Sequence, residues 1–394
     1  MAHNIGVNDM NNFTYANPTK IQFGRGVIAQ LGDELTRLGA SKVLLVYGGG
    51  SIKSNGVYDA VVAQLAASGI AFAEHGGVQG NPVLCHARDG VAKARAENVD
   101  LILAVGGGSV VDESKAIALG AASDTDVWEF FAKREAPQTA LPVVAVLTLP
   151  ATGSEMNGIA VLSNEETDEK NALVCPPLLN PKASFLDPET TFSLSARQTA
   201  FACTDILSHL MEGYLTTAAG HLPVQDGMIE GVAKATMESM AAIRENPADY
   251  DARAAFMWSA TLAWSGICQA GIPAWGMPCH ALEMPLSAVY DIAHGAGLSI
   301  IIPAWMRVVG AKHEPRILRF GRCVLGLEAP GSIDAVADAL TDYYRSIGSP
   351  VSCTEAGIEP DIDRLTALAS AAFQQRGMTD YTEPIIRDIY LRAL

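Results

Sequence analysis

The feature that most constrains the fold is a change of rhythm near the middle of the chain. Through the first half, short β-branched runs alternate with stretches of helical spacing. KVLLVY (42–47), IAFAEH (70–75), DLILAV (100–105) and PVVAVLTLP (142–150) read as strands, and 57–69, 82–98 and 110–122 read as helices between them. Strands alternating with helices build parallel βαβ units, because a parallel neighbour can be reached only through a crossover. From about residue 188 the strand signals stop, and apolar residues recur at helical spacing through 195–218, 223–245 and 249–270. This pattern predicts a doubly wound, Rossmann-like α/β domain over 1–187 and an all-helical domain over 188–394. The boundary falls at FLDPE (185–189), where Pro188 interrupts.

Composition narrows the classes. A chain of 394 residues with 49% hydrophobic and 18% charged residues can bury the cores of two or three domains. A net charge of −16 without a basic stripe argues against nucleic acid, so an anionic ligand needs a local pocket of backbone N–H groups or a few lysines. No apolar run reaches the ~18 residues of a membrane span, and the N-terminus lacks the basic head and apolar core of a secretory signal. Met10 is an alternative start, which would make the preceding residues an extension. The seven cysteines are scattered without a C-x-x-C pair, which suits a reducing cytoplasm better than a disulfide or structural-zinc framework.

Two GGGS stretches follow predicted strands. In LILAVGGGSVVDESK the glycines lie between a strand end and a helix start, where free N–H groups and the helix dipole favour an anion. The same residues also serve a plain strand-to-helix turn. Neither stretch is a G-x-G-x-x-G fingerprint, since Val111 and Lys53 stand at the sixth position. The other, VYGGGSIKSNG, lacks the acid that commonly holds the adenosine ribose hydroxyls. Nothing there repels a 2′-phosphate, and Ser51 with backbone N–H groups could bind one. A loop of solvated charges is the alternative.

The helical half carries CTDILSHLMEGY (203–214), with Asp205 and His209 one turn apart on an otherwise apolar helix. Positions four apart lie about 40° apart on one face, so both can reach one ion. In isolation, a helix acid beside a hydrogen-bonded histidine is the more ordinary explanation of the pair. Downstream, His280 and His294 would be about 21 Å apart along a straight helix. They can meet only if the helix ends and the chain turns back near VYDIAHG, which Tyr290, Asp291 and Gly295 make feasible. One carboxylate and three imidazoles make a first shell for Fe²⁺ or Zn²⁺.

D-x-x-x-H followed by an H-x₁₃-H segment ending in HGAGL resembles the iron-dependent (group III) alcohol dehydrogenases, in the branch of butanol dehydrogenases and NADPH-dependent aldehyde reductases. The likeness runs from about Asn11 onward through PTKIQFGRGVI, YGGGSIKSNG, GNP, LAVGGGSVVDESK, LTLPATGSEMN, FLDP, YDIAHGAGL and EPIIRDIYLRAL. It implies a dehydroquinate synthase-like fold, with a dinucleotide-binding α/β domain followed by an all-α domain. It also implies metal ligation by Asp205, His209, His280 and His294. Gly107, Gly108 and Ser109 would face the pyrophosphate, with Asp112 shaping that loop. Gly49, Gly50 and Ser51 would lie at the adenosine ribose or its 2′-phosphate, and Asn81 near the ribose. Thr148, Thr152, Asn157 and Lys170 would line the cofactor toward the nicotinamide.

The chain departs from the family pattern at Met284, where a second histidine usually follows the third metal ligand by four residues and is thought to assist proton movement. The expected function is a cytoplasmic, homodimeric, metal-dependent alcohol dehydrogenase or aldehyde reductase. It would use NADP(H) in preference to NAD(H) and act on small alcohols or aldehydes. Glycerol or polyol dehydrogenases and hydroxyacid–oxoacid transhydrogenases are rivals on the same fold. A non-catalytic metal- and nucleotide-binding protein is the rival suggested by Met284. No side chain stands out as the general acid or base.

Overall fold

The computed structural model describes residues 10–218 and 221–394. Among them the strands are β1 (Lys20–Phe23), β2 (Lys42–Tyr47), β3 (Ala71–Gly76), β4 (Leu101–Gly107), β5 (Val143–Leu149), β6 (Ile159–Asn164), β7 (Glu169–Val174) and β8 (Ala183–Leu186). Six of them form a parallel sheet in the order β1-β8-β5-β4-β2-β3, and β6 and β7 make an antiparallel hairpin. The helices of this half are α1 (Leu31–Arg37), α2 (Ser51–Ser54), α3 (Val57–Ala67), α4 (Leu84–Ala96), α5 (Gly108–Ala121) and α6 (Val127–Phe131). The remainder is helical: α7 (Ala196–Thr216), α8 (Pro223–Glu245), α9 (Tyr250–Ala263), α10 (Pro278–Tyr290), α11 (His294–Val309), α12 (Glu314–Cys323), α13 (Ile333–Ile347), α14 (Ile362–Gln375) and α15 (Glu383–Arg392).

The strands expected from β-branched runs are β2 to β5, and each lies within two residues of its sequence boundary. The β6–β7 hairpin and the strands β1 and β8 lie outside the expected runs. β1 and β8 have only four residues each, and the edge strand β1 pairs with β8 alone. Such short runs carry no readable period, so pairing with a long neighbour defines them.

Packing divides the described chain into two compact units. The α/β unit comprises 16–194 and 245–261, and the helical unit comprises 10–15, 195–244 and 262–394. The packing units differ from a single cut at 187/188 at three places: 188–194 and most of α9 pack with the sheet, and 10–15 pack with the helices. Met257 of α9 buries against Leu147 and Leu186, and the Thr261 hydroxyl donates to Glu155 at 2.6 Å. Asn11 N–H donates to Gly271 C=O at 2.9 Å. Helical periodicity identifies an element but not the body against which its apolar face lies.

In the α/β unit the chain moves outward from β2 to β3, returns to β4 on the other side of β2, and continues to β5. The strand order thus reverses between β2 and β4, and ligands of open α/β sheets bind outside the strand ends at such a reversal. Gly48–Ser51 and Gly106–Ser109 leave the sheet there.

Helix α5 is buried from Val110 to Gly120, although it carries Asp112, Glu113 and Lys115. Buried charges survive only when paired and hydrogen-bonded. The Lys115 ammonium donates to Ser154 C=O and Oγ, both at 2.8 Å, to Asn157 C=O at 2.9 Å and to Ile159 C=O at 2.6 Å. Asp112 accepts from Ser154 Oγ at 2.5 Å and from Val161 N–H at 3.1 Å. Burial pulls the Lys115 amine down to about 8, opposed by the carboxylates of Asp112 and Glu155. Together these bonds fasten the segment 154–161 to the helix behind the glycine loop. Lys115→Met should strand Asp112 and several carbonyls, with a loss of ~3–5 kcal/mol measured by chemical denaturation.

Candidate metal centre and cofactor loops

Helix α7 opens with a reciprocal capping box between Ser195 and Gln198. It places Asp205 and His209 in the interior, with His209 Nδ1 3.7 Å from Asp205 Oδ1. Helix α10 begins with Pro278 in its first turn, where a missing N–H costs nothing, and carries His280 there. It ends at Tyr290, followed by Asp291 in the left-handed region at φ 51°, and α11 starts at His294. Aspartate tolerates that conformation better than most residues. The reversal brings the two distant histidines together, with ring centroids 5.0 Å apart.

His294 Nε2 reaches to 3.8 Å from Asp205 Oδ1, and the His209 and His280 rings are 4.9 Å apart. Ligand atoms of Asp205, His209 and His280 lie within 4.8 Å of one another. Gly295 permits the approach of α11 to α7, because a Cβ there would stand 2.0 Å from the Phe201 carbonyl oxygen. This is the physical content of the HGAGL motif.

Two glutamates that sequence reasoning passed over orient the imidazoles. Glu212 on α7 binds His280 Nδ1 and also accepts from Cys279 N–H at 2.6 Å and His280 N–H at 3.2 Å. Glu283 on α10 binds His294 Nδ1 and the Ser287 hydroxyl. With each Nδ1 engaged, the Nε2 atoms of His280 and His294 are left for a ligand, an arrangement that fixes ring orientation at metal sites. The available signal was a buried acid on each apolar helix face, in MEGY and ALEMP. His209 stacks on Trp264 at 5.1 Å, and its carbonyl accepts from Gln269 Nε2 at 3.3 Å.

Burial draws His209 down to about 3 despite Asp205, so its ring is neutral near pH 7. For His280, burial is the largest influence and opposes the charged form, but the carboxylates of Glu212, Asp205 and Glu283 together raise the imidazole above its ordinary value. Asp205 Oδ1, His209 Nδ1 and His280 Nε2 are buried without a hydrogen-bond partner. Orphaned polar atoms cost about 1–3 kcal/mol each, so three converging ones mark a place built for a ligand. One carboxylate oxygen with three imidazoles fits Fe²⁺ or Zn²⁺.

The expected cofactor residues all lie in the α/β unit. Gly107 and Gly108 span the β4–α5 junction, where the register shifts between Gly106 and Gly107. Thr152 packs directly on Gly108, and a Cβ there would come within 2.2 Å of Thr152 Oγ1. Ser109 Oγ donates to Gly80 C=O at 2.6 Å, and Lys170 Nζ donates to Asn81 Oδ1 at 2.9 Å. Gly49 and Gly50 are open, with nothing within 4 Å of an added Cβ, and Gly50 has φ 106°. Ser51 follows at the start of α2, and Thr148 lies near the end of β5. Asn157 turns its carbonyl and Oδ1 toward Lys115, so with Asp112 it braces the loop from behind. Lys53 does not point freely at this loop. It donates to Tyr47 Oη at 2.8 Å and lies 3.3 Å from Glu74.

Residues 18–188 match the model of the iron-containing alcohol dehydrogenases, and 199–391 match the C-terminal model of the same family. The chain belongs to the iron-containing alcohol dehydrogenase family. It is 40% identical over 376 residues to NADH-dependent butanol dehydrogenase A of Clostridium acetobutylicum, covering 94% of this chain and 95% of that one. It is 34% identical over 397 residues to the NADPH-dependent aldehyde reductase YqhD of Escherichia coli, covering 98% and 100%. The crystal structure of NADH-dependent butanol dehydrogenase A from Thermotoga maritima superposes with a TM-score of 0.94 at 40% identity, over 98% of this chain and 99% of that one. No helix among the described residues is long and apolar enough to cross a membrane.

Glu212→Gln and Glu283→Gln should each weaken metal retention about 10–100-fold without unfolding the helical unit. Competition with a chelator measures this, and retention equal to the unmodified protein would show that the two glutamates do not tune the ligands.

Proposed function

We propose that this chain is a metal-dependent, NAD(P)H-linked alcohol dehydrogenase and aldehyde reductase. Its metal would be held by Asp205, His209, His280 and His294. The observation that carries the reading is the convergence of these four side chains with three of their buried atoms unpartnered. A divalent ion in that place supplies Lewis-acid polarisation of an alcohol or carbonyl oxygen, and nicotinamide supplies or accepts the hydride.

The protein's own contributions follow from its residues. Glu212 and Glu283 hold two imidazoles in one tautomer. Trp264 stacked on His209, with Trp275 edge-on to it at 5.9 Å, shields that ring from water. Gly107, Gly108 and Ser109 would receive the pyrophosphate, and Gly49, Gly50, Ser51 and Asn81 the adenosine ribose. Thr148, Thr152 and Lys170 would lie toward the nicotinamide.

Met284 is buried, with its sulfur 3.2 Å from Arg376 Nη2. A thioether cannot carry a proton near neutral pH, so water or the cofactor ribose would move the proton at the substrate oxygen.

For the nucleotide we propose NADP(H) in preference to NAD(H). No acid occurs between Tyr47 and Val57, and the Glu74 charge on neighbouring β3 is engaged by Tyr47, Tyr58 and Lys53. The relatives include both NADH- and NADPH-dependent enzymes. We further propose that the chain acts in the cytoplasm, where its seven free cysteines would stay reduced, and, by family resemblance, as a homodimer.

NADPH oxidation across an aldehyde series, with glycerol and hydroxyacids alongside, should show turnover on simple aldehydes that is lost on metal stripping and restored by Fe²⁺ or Zn²⁺. His280→Ala should lose both metal and turnover, and full retention of both would remove the assignment. The ratio of kcat/KM for NADPH to that for NADH should exceed one, and Gly49→Asp should lower it. Met284→His should keep the metal and add a group titrating in the histidine range to the pH–rate profile. An unchanged profile would mean that protons already travel by water.

A further inference from the structure

A second cluster of ligand-type side chains lies in the α/β unit, on elements that the proposed reaction does not use for metal. His75 comes from β3, His86 from α4 and Glu113 from α5. One ligand atom of each lies within 4.8 Å of the other two. Glu113 Oε1 is 2.7 Å from His86 Nδ1 and 3.3 Å from His75 Nε2, and the two rings are 4.2 Å apart.

Glu113 is fully buried, and its ion-pair partners among the described residues are these two histidines. Its Oε2 atom and His75 Nε2 are both buried without a hydrogen-bond partner. The His75–Glu113 approach is therefore close but not aligned as a hydrogen bond. A single shared proton leaves those two atoms unsatisfied, at the usual penalty for buried polar groups. A divalent cation would satisfy them together and neutralise the carboxylate. Gly90 keeps the His75 Nε2 face clear, since a Cβ there would stand 3.0 Å from that atom. His86 is 21% exposed, which gives an ion a way in.

We propose that His75, His86 and Glu113 form a second divalent-cation site, of the zinc class, separate from the Asp205 set. Two imidazoles and a carboxylate are a donor set that zinc accepts with a fourth position left open for water or another small ligand. An ion there would tie β3, α4 and α5 together, and binding to the folded state alone stabilises it. The proposal stands whether or not the Asp205 set holds the reactive metal.

The test is zinc stoichiometry on the full-length, metal-stripped protein, by equilibrium dialysis at micromolar zinc with elemental analysis. The expected result is two ions per chain. His86→Ala and Glu113→Gln should each fall to one, and Asp205→Ala should also fall to one by losing the other ion. Zinc should raise the thermal midpoint of Asp205→Ala but not of Asp205→Ala/His86→Ala. Glu113→Gln, which preserves volume, covers the case in which His86→Ala does not fold. A zinc stoichiometry unchanged from the unmodified protein in both His86→Ala and Glu113→Gln would overturn the site and leave an ordinary buried His–Glu pair; a single zinc lost on those two substitutions would leave it standing.

Discussion

The helical unit depends on a chain reversal between two histidines. Helix α10 ends at Tyr290, Asp291 takes a left-handed conformation, and α11 starts with His294 only three residues later. The turn works because Gly295 lets α11 lie against the Phe201 backbone. With a side chain at Gly295 the helices would stand further apart, and His294 could no longer lie 3.8 Å from Asp205. The geometry of the centre is set by how closely backbones can approach, before any side-chain preference acts.

Gathering three buried carboxylates with one buried and two partly buried imidazoles is costly unless each charge has a counterpart. The protein meets this with a relay of partners across helices. Glu212 on α7 holds His280 on α10, and Glu283 on α10 holds His294 on α11. Each bond orients a ring and also ties one helix to the next. The atoms left unsatisfied, Asp205 Oδ1, His209 Nδ1 and His280 Nε2, are those turned toward one point. Stability elsewhere thus supports a local arrangement that is unfavourable without a ligand.

The α/β unit uses the same principle along one helix. Successive residues of α5 are about 100° apart, so neighbouring charges face different surroundings. Asp112 and Lys115 brace the segment beneath the glycine loop, while Glu113 faces His75 and His86. At the start of that helix, Gly108 carries no side chain because Thr152 occupies the space. The open loop at its N-terminus is therefore held from behind by buried hydrogen bonds from charged side chains, which leaves its front free for a ligand.

What the sequence determined by itself is what depends on near neighbours. The four β-branched runs became β2 to β5 because length and branching favour an extended, buried strand. Asp205 and His209 share a face because four residues are close to one helical turn, and the family motifs around His280 and His294 pointed to the two histidines that lie beside them. Tyr290, Asp291 and Gly295 already made a reversal feasible. The tertiary structure decided whatever rests on contact between distant residues. β1 and β8 exist as strands because each finds a partner. Segment 245–261 joined the sheet because Met257 and Thr261 found Leu147 and Glu155 there. Lys53 is held by Tyr47 at the end of β2 and by Glu74 on the adjacent β3. Glu212, Glu283 and Lys115 are charges on helices whose burial requires that each have partners. A burial cost is a property of the folded surroundings, and no local spacing encodes it.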